Sequence, residues 1–177
     1  NSTASDIHLH AMNAATQTAA LTAVGLGLYG TGTFTLTNNS NNVVNFAAGS
    51  SESKPAAISF TDASGGLVIG TVGTLTGTVS VGNIFIETLT GNLTVAKNMQ
   101  TASTSPDAVI LNAAKNESIG TLTGGNILVT GSSTITTGNG GIVKLFSGDP
   151  TTSNGLVNLV GGVGNAYFLV DETTSSF

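Results

Sequence analysis

Gly91-Asn92-Leu93-Thr94-Val95-Ala96 returns, altered, as Gly125-Asn126-Ile127-Leu128-Val129-Thr130. The register holds across a whole unit: Asn92, Val95, Val109 and Leu111 are matched by Asn126, Val129, Val143 and Leu145, each 34 positions further on. A repeat of that length, built from branched apolar residues alternating with small or polar ones, reads as stacked strands. The phrase TLTG, beginning at Thr74, Thr88 and Thr121, punctuates the same pattern. An earlier echo pairs Val43 to Ser50 with Val109 to Asn116, 66 positions apart and close to twice the step.

Working outward, the strand candidates are Ile7 to Met12, Ala23 to Thr37, Val43 to Ala47, Ala57 to Thr61, Leu67 to Ile69, Thr78 to Leu89 and Leu93 to Ala96. They continue with Val109 to Ala113, Ile127 to Thr130, Thr134 to Thr136, Ile142 to Phe146, Leu156 to Val160 and Tyr167 to Val170. Clusters of Gly, Asn, Ser and Thr separate them. Only the alanine-rich Ala11 to Val24 offers a helix as an alternative, weakened by its threonines and by the glycines after it.

A sandwich joins its strands by tight Asn-Gly or Asp-Gly hairpins, and neither serves as a hairpin centre in this reading. Gly65-Gly66, Gly124-Gly125, Gly140-Gly141 and the Asn-rich turn Asn38 to Asn42 fit the corners of a parallel stack, where positive φ or small side chains are needed. The expected fold is therefore all-β, an elongated parallel β-helix (β-solenoid), as a single segment over residues 1–177. One long pass of 33 or 34 residues and two of half that length remain equally open. Val79, Val81, Ile84, Ile86 and Thr88 are expected to alternate inward around a corner at Gly82-Asn83. A charge placed at Ile86 or Val109 should unwind its pass.

Only 7% of residues are charged, the net charge is −5, cysteine and tryptophan are absent, and 40% are hydrophobic. That excludes a disulfide scaffold, and the apolar share argues against disorder. No apolar run approaches the ~18 to 20 residues of a spanning helix, so membrane insertion is not expected. There is no arginine and only Lys54, Lys97, Lys115 and Lys144, which argues against nucleic-acid binding and against lyase chemistry that leans on basic residues. The start at Asn1, and last passes without a capping helix, suggest a piece of a longer repeat-containing chain.

The C-terminal run from Gly140 to Phe177 resembles a phrase of large bacterial exoproteins of the filamentous haemagglutinin type. The matching residues are Phe146-Ser147-Gly148, Gly155-Leu156, Leu159-Val160-Gly161 and Asp171-Glu172-Thr173-Thr174. The resemblance spans roughly Gly73 to Phe177, with the units from Gly91 and Gly124 similar to the shaft repeats of those proteins. The Asn-Pro-Asn-Gly motif of their secretion domain is missing here. The resemblance implies a right-handed β-helix, exported through an outer-membrane partner and displayed on the bacterial cell surface. It would be a shaft or adhesin supporting attachment and biofilm formation, its partners being adjoining passes or neighbouring copies and a surface receptor.

Candidate chemistry is sparse. Gly25-Leu26-Gly27-Leu28-Tyr29-Gly30 matches the dinucleotide fingerprint, but an alternating Thr31 to Thr37 comes next where a phosphate-binding helix is required, so a Gly-rich corner is expected. Asp6, His8 and His10 fall on one side of a strand as candidate metal ligands. Asp149 and Asp171 are the carboxylates weighed as a glycan-cleaving pair. Asn1, Asn38, Asn92 and Asn116 head N-glycosylation triplets, also a feature of some adhesins of the resembling family. Neither a cofactor nor a repeated calcium motif is expected. Thr31, Thr33, Thr35 and Thr37, with Thr74, Thr76 and Thr78, raise ice binding as a rival function. A self-assembling fibre subunit and a glycan-active enzyme are the other two.

Overall fold

The computed structural model describes residues 5–63, 65–113, 115–116, 125–148 and 152–161, and the backbone of 166–170. Strands in chain order are β1 (Ile7–His10), β2 (Ala15–Thr16), β3 (Thr22–Tyr29), β4 (Thr33–Leu36), β5 (Asn42–Ala48) and β6 (Ala57–Asp62). Next come β7 (Gly66–Ile69), β8 (Thr71–Val72), β9 (Leu75–Thr76), β10 (Thr78–Ser80), β11 (Ile84–Thr88) and β12 (Asn92–Val95). The last are β13 (Met99–Thr101), β14 (Val109–Asn112), β15 (Ile127–Val129), β16 (Ile135–Thr136), β17 (Val143–Ser147) and β18 (Ala166–Val170), with one helical turn, α1 (Leu156–Leu159), before β18.

The protein is all-β and its two large sheets are parallel. The chain leaves one sheet, enters the other and returns, so that each strand lies beside the strand of the following pass. The first sheet holds β1, β3, β5, β7, β10, β12, β13, β15 and β16; the second runs β2, β4, β6, β11, β14, β17, β18. In the first sheet β5 is continued by two shorter strands: Phe46 pairs with Ile69 of β7 and Ala48 with Thr78 of β10. From that point each pass contributes two strands to that sheet, with a corner between them.

Register creates the core. In the second sheet Phe34, Ile58, Ile84, Val109 and Val143 stand side by side, as do Leu36, Phe60, Ile86, Leu111 and Leu145. In the first, Ile7, Leu26, Phe46, Ile69, Val95 and Val129 form a matching column. Most of these side chains are fully buried, and the rings of Phe46 and Phe60 stack 5.0 Å apart across the interior. Because strand side chains alternate, the intervening Thr33, Thr35, Ser59 and Gln100 point away from this core.

The 34-residue step is real but local. Val95 pairs with Val129, Val109 with Val143 and Leu111 with Leu145, each as the repeat predicts. Down the first-sheet column, however, positions 7, 26, 46, 69, 95 and 129 give steps of 19, 20, 23, 26 and 34 residues. Passes lengthen at their corners while the paired strands stay short. Neither uniform alternative for the pass length therefore holds. The 66-residue echo fails because Val43 lies in the first sheet and Val109 in the second. The first TLTG occupies a hairpin and the second a corner after β11; the third lies outside the described residues.

Three further expectations need correction, and the helix alternative falls. Ala23 to Thr37 is two strands, broken where Gly30 takes φ 99° beneath the Ala11 carbonyl. Ala11 to Val24 forms no helix; its middle pairs with β4 as β2. Leu156 to Val160 is the helical turn α1, with Leu159 completely buried against the core, so a helix does cover the end of the first sheet. On β10 the inward residues are Thr78 and Ser80, while Val79 is half-buried and Val81 is exposed. The corner accounts for Ser80, whose Oγ donates to the Gly82 carbonyl as Thr101 Oγ1 does from β13, bonds that valines could not make; Thr78 Oγ1 has no such partner.

Deleting inner volume should cost far more than deleting outer polarity. Ile86→Ala is expected to lower unfolding free energy by about 2 to 5 kcal/mol, and Thr35→Ala by less than about 0.5 kcal/mol. Urea titration followed by far-UV circular dichroism measures both; equal losses would contradict the inner-column assignment.

Candidate functional site

On β1, Ile7 and Leu9 face the core while His8 and His10 are exposed on the outer face, as their two-residue spacing predicts. Register places His8 beside Gly27 and His10 beside Tyr29. The His8 ring lies 5.6 Å from the Tyr29 ring, tilted by 52°, and a Cβ on Gly25 would come within 2.6 Å of Asp6 Oδ1. Asp6 and His8 are thus laid over glycines of the neighbouring strand. Among the described residues no three His, Asp or Glu side chains are grouped to hold a metal ion.

The glycine fingerprint has a packing explanation. Gly25 and Gly27 sit inside β3, not at a corner as expected; only Gly30 turns the chain. Strands β8 and β9 form an antiparallel hairpin around Gly73-Thr74, with Gly73 at φ 57°. This hairpin, whose centre is neither Asn-Gly nor Asp-Gly, folds over the outer face of the first sheet. Val72 and Leu75 pack with Ala47 and Tyr29, and a Cβ on Gly25 would lie 2.9 Å from Val72 Cγ1. The next element after the fingerprint is strand β4, so no helix N-terminus is available for a pyrophosphate.

The threonine groups do not share one face. Thr31, Thr33, Thr35 and Thr37 are exposed along β4 and its flanks, but Thr74 and Thr76 belong to the hairpin and Thr78 is fully buried. Across the second sheet the outward column reads Thr16, Thr35, Ser59, Phe85, Ile110, Lys144. Hydroxyls give way to apolar side chains halfway along.

Polar chemistry concentrates at the corners after β4, β6, β11 and β14. Asn41, wholly buried, donates through Nδ2 to the Leu36 and Thr61 carbonyls and accepts at Oδ1 from Leu21 N–H and Gln17 Nε2. It ties three successive passes together. Asp62, also fully buried, accepts the Val43 N–H. Glu87 accepts from Thr61 Oγ1 at 2.8 Å and meets Lys115 Nζ at 3.3 Å. Asp62 aligns with Thr88 and Glu87 with Thr61, so the two carboxylates fall on opposite sides of the sheet, unsuited to a shared glycosidic bond. On the outer surface Lys144 pairs with Asp107. Asp149, Asp171, Glu172 and Glu117 lie outside the described residues.

Of the glycosylation triplets, Asn38 and Asn116 occupy turns, whereas Asn92 sits in β12 with Oδ1 accepting the Asn126 N–H. A glycan would be carried on Asn92 Nδ2, leaving Oδ1 to make that link; Asn1 lies outside the described residues. Two open cavities, of about 300 and 280 Å³, flank α1 and are lined by Ser133, Thr134, Asn158 and Val129, and by Thr136, Asn139 and Val160 among others. Neither is lined by a titratable side chain. Among the described residues no helix is long and apolar enough to cross a membrane. Comparison with protein-family models, with characterised proteins and with solved structures finds no match to this chain.

The residues that organise the corners carry no distinguishing signal in the sequence. Asn41 is one of five Asn or Ser in a row from Asn38 to Asn42, and nothing in that composition marks which member turns inward. Asn41→Ala removes partners from Leu21 N–H and from the Leu36 and Thr61 carbonyls, at about 1 to 3 kcal/mol for each group left unpaired. Thermal unfolding should show a loss of at least about 2 kcal/mol, against less than about 0.5 for the exposed Asn39→Ala.

Proposed function

We propose that the chain is a right-handed parallel β-helix serving as a structural shaft, and a contact surface for attachment, in a bacterial surface exoprotein. The observation that carries this reading is the unbroken lateral register of both sheets. Each pass is held by backbone hydrogen bonds to the passes on either side, so the number of passes can grow without a change of plan. A rise of about 4.8 Å per strand makes the seven strands of the second sheet span roughly 30 Å. A module of that length acts as a spacer when placed in series with others. The low charge fits as well, since the outer faces carry Thr, Ser, Asn and Gln interspersed with apolar residues such as Val44 and Phe85, and present no basic stripe or charged cleft among the described residues.

The resemblance in the C-terminal run points to the same role, and export without disulfides suits a body held by strand ladders. Ice binding is disfavoured by the outward column, which turns to Phe85 and Ile110 where a regular hydroxyl array would be required. Catalysis finds no support in the two buried carboxylates, whose partners are internal.

Beads coated with the purified chain should adhere to epithelial cells or to abiotic surfaces several-fold more than beads carrying Ile86→Asp, in which the core is broken. Equal adhesion by both would remove the folded surface as the agent. The same preparation should leave ice recrystallisation unchanged at micromolar concentration; inhibition there would favour the rival function.

A further inference from the structure

Asn-Gly occurs at Asn139-Gly140 and again at Asn154-Gly155, and the fold treats the two pairs differently. The first forms the middle of the turn between β16 and β17. Gly141 N–H closes that turn on the Gly138 carbonyl, and the N–H groups of Gly138 and Ile142 tie it to the Ser103 and Ser105 carbonyls of the pass before. Between those bonds Asn139 and Gly140 are exposed, and neither the Asn139 carboxamide nor the Gly140 N–H has a hydrogen-bond partner. A Cβ built on Gly140, which takes φ 82°, would meet nothing within 4 Å. Both residues line the open cavity of about 280 Å³ beside α1, where solvent reaches them. The second pair is held: Asn154 Oδ1 accepts the Val129 N–H at 3.1 Å, its backbone bridges to Leu128, and the Cβ position of Gly155 lies 2.8 Å from Val129 Cβ as the chain enters α1.

We propose that the turn between β16 and β17 is a self-modification site, at which the Asn139 side chain closes on the Gly140 nitrogen and is converted to a carboxylate. The reacting atoms, Asn139 Cγ and Gly140 N, belong to adjoining residues and close a five-membered ring, so no distant groups have to meet. Gly140 has no side chain to hinder its nitrogen. Hydroxide from solvent takes the Gly140 amide proton, the nitrogen attacks Cγ, the Cγ–Nδ2 bond breaks, and Nδ2 gains a proton from water and leaves as ammonia, which restores the hydroxide. Water then opens the succinimide. Breaking the bond from Gly140 N to Cγ gives aspartate; breaking the bond from Gly140 N to the Asn139 main-chain carbonyl carbon gives isoaspartate, with one more carbon in the backbone. No titratable side chain lines the cavity, so either product brings a charge to a neutral surface. The reaction is independent of where the protein acts.

Peptide mapping of the whole chain tests this, because trypsin cuts after Lys115 and Lys144 and puts the two pairs on separate peptides, 116–144 and 145–177. The folded protein, kept in mildly alkaline buffer at body temperature, should gain the mass difference between OH and NH2 on the first peptide. Fragmentation should locate the gain at Asn139, and enzymatic methylation should detect isoaspartate there. Asn139 should convert at least about fivefold faster than Asn154, the factor that the hydrogen bond holding Asn154 is worth. In guanidinium, where both pairs are released, the two rates should converge. Absence of conversion at Asn139 in the folded chain, or conversion of Asn154 at the same rate or faster, overturns the proposal. A ratio that persists in guanidinium overturns the role given to the fold.

Discussion

Lateral register between parallel strands is the constraint on which every other feature of this protein depends. A parallel ladder sets each inward residue beside its counterpart one pass away, so the core is a set of columns and not a volume filled from all directions. Burying one Val or Ile contributes roughly 1.5 to 3 kcal/mol, and the ladder simultaneously pairs the amides that burial would orphan. Slipping a strand by one residue would expose its entire apolar set. The columns therefore tolerate Ile, Val, Leu or Phe at one height, but not a change of parity.

Corners pose the complementary problem, because there the ladder is interrupted while the chain remains near the core. Side chains take over its task. Asn41 bonds to backbone groups of the passes before and after its own, Asp62 reaches back to accept the Val43 N–H near the start of β5, and Ser80 and Thr101 supply hydroxyls to Gly82. A polar group in such a place does not imply chemistry; it completes backbone hydrogen bonding where strands cannot.

These two regimes differ in how far they can be seen in a sequence. Columns are visible because alternation has a period of two and survives substitution, which is why Val95 matches Val129, and Leu111 matches Leu145, on sequence alone. Pass length is not visible, since insertions fall at corners and shift the period without touching the columns. A literal repeat can mislead for the same reason: TLTG satisfies turn chemistry equally well in a hairpin and at a corner. Parity on β10 is hidden because valine is the better inward residue by hydrophobicity alone, and the need of the Gly82 carbonyl for donors exists only in three dimensions. The glycines of β3 and the histidines of β1 are likewise legible as residues but not as neighbours.

Variation in pass length also tells where this molecule can differ from others of its plan. The columns admit little change, and the outer faces are limited to whatever alternation leaves. The excursions are freer: residues 49–56 close on themselves through Ser50 and Ser53, the hairpin of β8 and β9 lies over the first sheet, and residues 102–108 are pinned by Ser103 and Ser105. Each combines short-range bonds of its own with links to neighbouring passes: Gly49 N–H donates to the Leu28 carbonyl, Gly30 N–H to Ser53 Oγ and Ser103 Oγ to Asn83 Oδ1, while Val72 and Leu75 pack on Ala47. The two sheets act as the ruler that spaces these corners.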